Sequence, residues 1–166
     1  PLYSSAASDV YKRQVGSYSF LRWEKNGALH STSTSTSVYT DQNITLVAVY
    51  SQPDTTPPSI SNVRIDPSSL PSSGGTVTIR ADVTDNVKVQ NVWLWVREPN
   101  GTEKSFTMSL ESGNTYKGTY TAPANTSSSS VTYQVAITAK DASNNQASAG
   151  WAYSFTVAGQ STGQPP

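Results

Sequence analysis

Beyond residue 59, apolar residues return at nearly every second position. Over residues 76–84, Val77, Ile79, Ala81 and Val83 alternate with Thr76, Thr78, Arg80 and Asp82. Side chains of a strand point to opposite faces in turn, so this run predicts a strand with one face buried and the other in water. Similar runs lie on either side. Ile60, Val63 and Ile65 precede it, and residues 89–98 follow. Then come Phe106, Met108 and Leu110, and next Tyr116, Gly118 and Tyr120. Val131, Tyr133, Val135, Ile137 and Ala139 make a sixth run, and Trp151, Tyr153, Phe155 and Val157 a seventh. Turn residues separate them: residues 67–75, Asp85-Asn86, Pro99-Asn100-Gly101, Gly113-Asn114, Pro123 and residues 141–145. Apolar residues nowhere keep helical spacing beyond one or two turns. The pattern predicts an all-β fold of seven short strands over residues 59–158.

The first 58 residues read differently. Residues 1–14, PLYSSAASDVYKRQ, show no alternation and end in a basic YKRQ. They resemble translated sequencing-adapter readthrough, and are expected to be a non-native or disordered tail. Residues 15–50 are expected to form a partial β repeat. Tyr18, Phe20 and Arg22 alternate with Ser19 and Leu21, and Trp23 follows. Asn26-Gly27 is a hairpin-turn dipeptide, because both residues tolerate positive φ. The Ser/Thr run over residues 31–37 suits a strand or a loop equally. Ile44, Leu46, Ala48 and Tyr50 then alternate with Thr45, Val47 and Val49, a strand apolar on both faces. Residues 51–58, SQPDTTPP, read as a stiff linker, since three prolines remove backbone donors. Residues 159–166 read as a flexible C-terminal linker. No basic start with an apolar stretch opens the chain, so its true N-terminus is expected upstream.

Composition narrows the function. Only 13% of the 166 residues are charged and the net charge is zero, so there is no basic footprint for nucleic acid. No apolar run approaches the length of a membrane helix. Cysteine is absent, which removes disulfides, thiolate metal sites and Cys nucleophiles.

Two resemblances add to this. GSYSFLRWEKNG followed by NITLVAVY resembles the second half of an internalin B-repeat-like surface repeat. TTPPSISNVRIDPSSLPSSGGTVTIRADVTDN, VREPNGT and SVTYQVAITAKDASNN resemble bacterial and archaeal immunoglobulin-like or fibronectin type III-like surface modules. The second resemblance spans residues 55–157. It implies a seven-stranded immunoglobulin-like β-sandwich, with Tyr133 at the start of the sixth strand and its hydroxyl pinning the preceding turn. It also implies a secreted or cell-surface setting, with neighbouring domains of the same chain, glycans or surface proteins as partners.

Catalytic chemistry finds little footing. His30 is the only histidine and lies beside the Ser/Thr run, and no Gly-flanked nucleophile motif is present. The chain is therefore expected to be no enzyme and to need no cofactor, with Ca²⁺ the one ion its residues suit. Asp82, Asp85 and Asn86 close the second strand, and Asp141, Asn144 and Asn145 close the sixth. Those strands should run the same way and bring hard oxygen ligands to one end. Asp and Asn are equally ordinary turn residues. Trp93 and Trp95 are the second candidate. They share one face of their strand while Val92, Leu94 and Val96 share the other. With the aliphatic face inward, the indoles form an exposed platform for a sugar ring or a protein. With the indoles inward, they are core. Trp151 and Tyr153 are expected in the core beside Phe155 in either case. Asn43, Asn100 and Asn125 head glycosylation sequons, with Asn100 and Asn125 expected on loops. The function expected is a non-catalytic structural or adhesive module, the alternative a carbohydrate-binding accessory module of a secreted hydrolase.

Overall fold

The structure is a computed structural model and describes residues 7–11, 18–39 and 43–161. Every regular element among them is a strand, and nearly all pairing is antiparallel. The chain divides into two compact units, Pro1–Asp54 and Thr55–Pro166.

The first unit holds β1 (Ala7–Tyr11), β2 (Ser19–Lys25), β3 (Ala28–Ser31), β4 (Ser35–Tyr39) and β5 (Leu46–Ser51). Strand β1 falls inside the segment expected to carry no element. It pairs along its whole length with β4, where Thr36 and Val38 favour extended backbone. Pairing of this kind needs no apolar alternation in β1. The rest of the expected tail lies outside the described residues. Strands β3, β2 and β5 form a separate sheet in that order. Asn26 and Gly27 turn β2 into β3 with φ of 52° and 81°, the paired positive values a tight hairpin needs. Simple alternation would put Phe20 and Trp23 on opposite faces. Leu21 is instead an extra residue between the pairs Phe20–Tyr50 and Arg22–Val49. The bulge turns both rings to one side, with centroids 5.5 Å apart and Trp23 buried.

The second unit holds β6 (Ser59–Asp66), β7 (Ser69–Leu70), β8 (Gly75–Thr84), β9 (Val89–Arg97), β10 (Glu103–Thr107), β11 (Ser109–Ser112), β12 (Thr115–Ala122), β13 (Val131–Asp141), β14 (Gln146–Ser148) and β15 (Tyr153–Val157). One sheet has the order β11-β12-β8-β6. The other runs β10-β9-β13-β15-β7, with β14 beside the end of β13. Their inward faces share one core. Val77, Ile79, Ala81 and Val83 of β8 and Tyr120 of β12 meet Val92, Leu94 and Val96 of β9, Val135 and Ile137 of β13, and Phe155 and Val157 of β15. Tyr133 stacks on Phe155 with centroids 4.9 Å apart and planes 7° from parallel.

Ten strands stand where the sequence predicts seven. The predicted fourth strand is two: β10 pairs with β9, β11 pairs with β12, and Met108 between them is buried. The chain there crosses from one sheet to the other, which keeps apolar alternation while changing partner. Ser69–Leu70 lies within the predicted turn cluster and pairs parallel with β15, burying Leu70. The three-residue gap from Ile60 to Val63 is a second bulge, with Asn62 at φ 49°.

Candidate functional site

Strand β9 settles the question its alternation leaves open. Val92, Leu94 and Val96 are buried, and Trp93, Trp95 and Arg97 stand half-buried on the outer face. Register fixes their neighbours on that face. Trp95 lies between Ser105 of β10 and Ala136 of β13, and Arg97 lies between Glu103 and Gln134. The small side chains leave the indole room. Its Nε1–H donates to Thr138 Oγ1 at 2.9 Å, which fixes the ring's orientation.

Trp151 joins this face rather than the core. Because β15 begins only at Tyr153, Trp151 sits on the preceding turn, after Gly150 at φ 64°. Strand alternation does not extend to it. Tyr153 does pack against the core. The Arg97 guanidinium lies 4.1 Å above the Trp151 ring centre, a cation–π contact. Arg97 is itself held: Nε and Nη2 donate to Glu103 Oε1 at 2.9 and 2.7 Å, and Nη1 donates to Gln134 Oε1 at 3.1 Å. Between the two indoles runs a shallow groove of about 340 Å³, lined by Trp95, Trp151, Glu103, Ala136, Thr138 and Ser148. Trp93 shares the outer face but does not line the groove. The glycine before Trp151 was the only sequence sign that this tryptophan leaves the strand. Nothing in the linear pattern marks Glu103, Thr138 or Ser148, which strand pairing brings in from elsewhere.

Of the oxygen-bearing residues, Asp85 and Asp141 come together, with carboxylate oxygens within 4.8 Å of one another. Asp141 is fully buried. Its Oδ1 accepts N–H groups of Ser143 and Asn145 at 2.8 Å, and its Oδ2 accepts Asn145 Nδ2 at 2.7 Å. Burial pushes its pKa up, but these bonds outweigh it and hold the carboxyl below the ordinary range. Asp85 Oδ1 accepts from Val87 and Lys88 N–H at 2.9 and 2.7 Å, while its buried Oδ2 has no hydrogen-bond partner among the described residues. Asp82 is engaged on the outer face of β8. Thr115 Oγ1 donates to it at 2.6 Å and Asn62 Nδ2 at 2.9 Å, and these bonds, Thr115's first, lower its pKa. Asn86 and Asn144 are exposed, with Asn144 in the left-handed region at φ 74°.

The sequon asparagines differ. Asn43 and Asn100 are exposed, and Asn100 Oδ1 caps its own turn through Thr102 N–H. Asn125, expected on an open loop, is only 8% exposed. Its Nδ2 donates to the carbonyls of Ser129, Ala158 and Val157, and its Oδ1 accepts from Ser127 N–H and Oγ. The amide that glycosylation would use is spent inside the fold. Tyr133 also departs from expectation. Its ring is core, and no hydrogen bond ties its hydroxyl to the preceding turn among the described residues. The hydroxyl that bridges is that of Tyr120, which donates to Glu98 Oε1 at 2.6 Å, where Lys104 Nζ also donates. Burial, then the Glu98 carboxylate, pushes the Tyr120 pKa up.

No protein-family model and no curated protein matches the chain. Among solved structures, an engineered protein determined at 1.98 Å is similar over 60% of this chain, with 19% identity and a TM-score of 0.38. The chain spans 20% of that protein's length.

Proposed function

We propose that the chain is a non-catalytic structural or adhesive module of a secreted or cell-surface multidomain protein, with residues 59–158 folded as an immunoglobulin-like β-sandwich. The observation that carries the reading is the strand order. An immunoglobulin-like sandwich sets its first, second, fifth and fourth strands on one sheet and its third, sixth and seventh on the other. The orders β6-β8-β12-β11 and β9-β13-β15 match once β10 is taken as the part of the fourth run that crosses over. The Pro-rich segment between two compact units and the likeness to surface modules support the setting. The test is an antibody against residues 55–161, applied to intact cells expressing the parent chain. Labelling without permeabilisation is expected, and labelling only after permeabilisation contradicts the proposal.

A carbohydrate-binding role is the second reading, favoured by the half-exposed indoles on the outer sheet face. Calcium at the Asp85–Asp141 pair belongs with either, because it would brace the loops at one end of the sandwich.

A further inference from the structure

We infer that the groove between Trp95 and Trp151 is a binding subsite for one pyranose ring of a neutral glycan. The inference rests on the carbohydrate-binding reading of the outer sheet face, and it names the residues and the ligand class. Three features of the groove lead to it.

The aromatic walls come first. Two indoles reach one groove from separate parts of the chain, Trp95 from the middle of β9 and Trp151 from the turn before β15. Each has a contact that orients it. Thr138 holds the Trp95 nitrogen, and Arg97, clamped by Glu103 and Gln134, lies across the Trp151 ring. Rigid aromatic surface that is already oriented binds at little ordering cost. The axial C–H faces of a pyranose are the flat, weakly polar surface that stacks on such rings.

The unspent polar capacity comes second. The Glu103 bonds to Arg97 use Oε1, and no hydrogen bond among the described residues uses its Oε2. Ser148 Oγ accepts from Gly150 N–H and keeps its own proton to donate. Thr138 Oγ1 accepts from Trp95 and likewise keeps its proton. The rim therefore offers one strong acceptor and two donors around an apolar floor at Ala136. Vicinal sugar hydroxyls, each both donor and acceptor, match that mixture.

Charge comes third. The one charged residue lining the groove among the described residues, Glu103, is paired with Arg97 behind it at 2.7 Å. No net charge is left to recognise an ionic ligand, and the open Glu103 oxygen repels an anionic one. A purely apolar peptide side chain would leave the acceptor and both hydroxyls without partners, which costs affinity. A neutral sugar satisfies both halves of the groove.

Titration of the ¹⁵N-labelled 166-residue chain tests this, with cellohexaose, chitohexaose, mannohexaose, maltohexaose and an oligogalacturonate as probes. At least one neutral oligosaccharide is expected to shift the indole N–H signals of Trp95 and Trp151 together and to saturate below about 10 mM. Trp151→Ala, on a turn outside the core, is expected to weaken that binding at least about ten-fold. Glu103→Gln keeps the side chain's shape and is expected to weaken it by a smaller factor. The inference is overturned by no shift with any neutral probe, by shifts at other residues only, by unchanged affinity in Trp151→Ala, or by tightest binding to the oligogalacturonate. Shifts in the wild-type spectrum need no variant to fold. Surface labelling of intact cells is independent of this titration, so failure of the subsite and failure of the surface-module reading remain distinct results.

Discussion

At the scale of the residue, the side chains that looked alike in the sequence do unlike things in the fold. Asn100 and Asn125 both head sequons on segments expected to be loops, yet one is exposed and the other spans three carbonyls. Nothing local distinguishes them, because the partners of Asn125 come partly from residues 157 and 158. Removing a buried amide takes a donor from each of those carbonyls, so Asn125→Ala is expected to cost about 1–3 kcal/mol, against about 0.5 kcal/mol or less for Asn100→Ala. Urea unfolding of the two variants measures the difference. Asp141 makes a second prediction. Its folded pKa lies below the ordinary value of 3.8, so its charged form stabilises the fold above that value. The contribution disappears as pH falls through the lower folded value. Asp82, Glu98 and Glu111 shift in the same direction and share this acid limb. The urea midpoint should therefore hold near neutrality and fall below about pH 4, and Asp141→Asn should lower it at pH 7 while flattening the fall.

At the scale of the element, period-two alternation was the most legible feature. It located the inward faces of β8 and β13 residue by residue, since a buried sheet face admits little else, and it left β9, apolar on both faces, with two alternatives that only the structure decides. It failed where the backbone departs from simple pairing. The bulges at Leu21 and Asn62 change which residues share a face, and the crossing at Met108 changes sheet without breaking the pattern. Trp151 was misplaced for the same reason, being counted on a strand that starts two residues later. The face assignment predicts a sharp contrast. Ile79→Ala, inside the core, should cost about 2–5 kcal/mol. Thr119→Ala, exposed on the neighbouring strand, should stay within about 0.5 kcal/mol. The loops after β8 and β13 carry the calcium prediction. Two carboxylates this close repel, and a divalent cation between them relieves that. The melting temperature is expected to be higher in millimolar Ca²⁺ than in EDTA, and equal values contradict a stabilising ion.

At the scale of the whole molecule, the groove arises from chain order as well as composition. Trp95 and Glu103 lie on consecutive strands, Thr138 and Trp151 come from later in the chain, and the adjacency of β10, β9, β13 and β14 collects them. This is why the platform could be suspected from two tryptophans on one strand, while its second wall and its polar rim could not. The same placement links fold to function. Turning Leu94 inward is what turns Trp95 outward, so the core and the candidate site are two faces of one strand. The direct measurement is a ¹³C/¹⁵N-edited NOESY on the full chain. The Leu94 methyls should show contacts to Gly118 and Met108 across the core, where Leu94 Cδ2 would lie 3.2 Å from a Cβ built on Gly118. The Trp95 ring should instead show contacts to Ala136 and Thr138. Contacts from the Trp95 ring to Gly118 or Met108 would place the indole in the core and contradict the account.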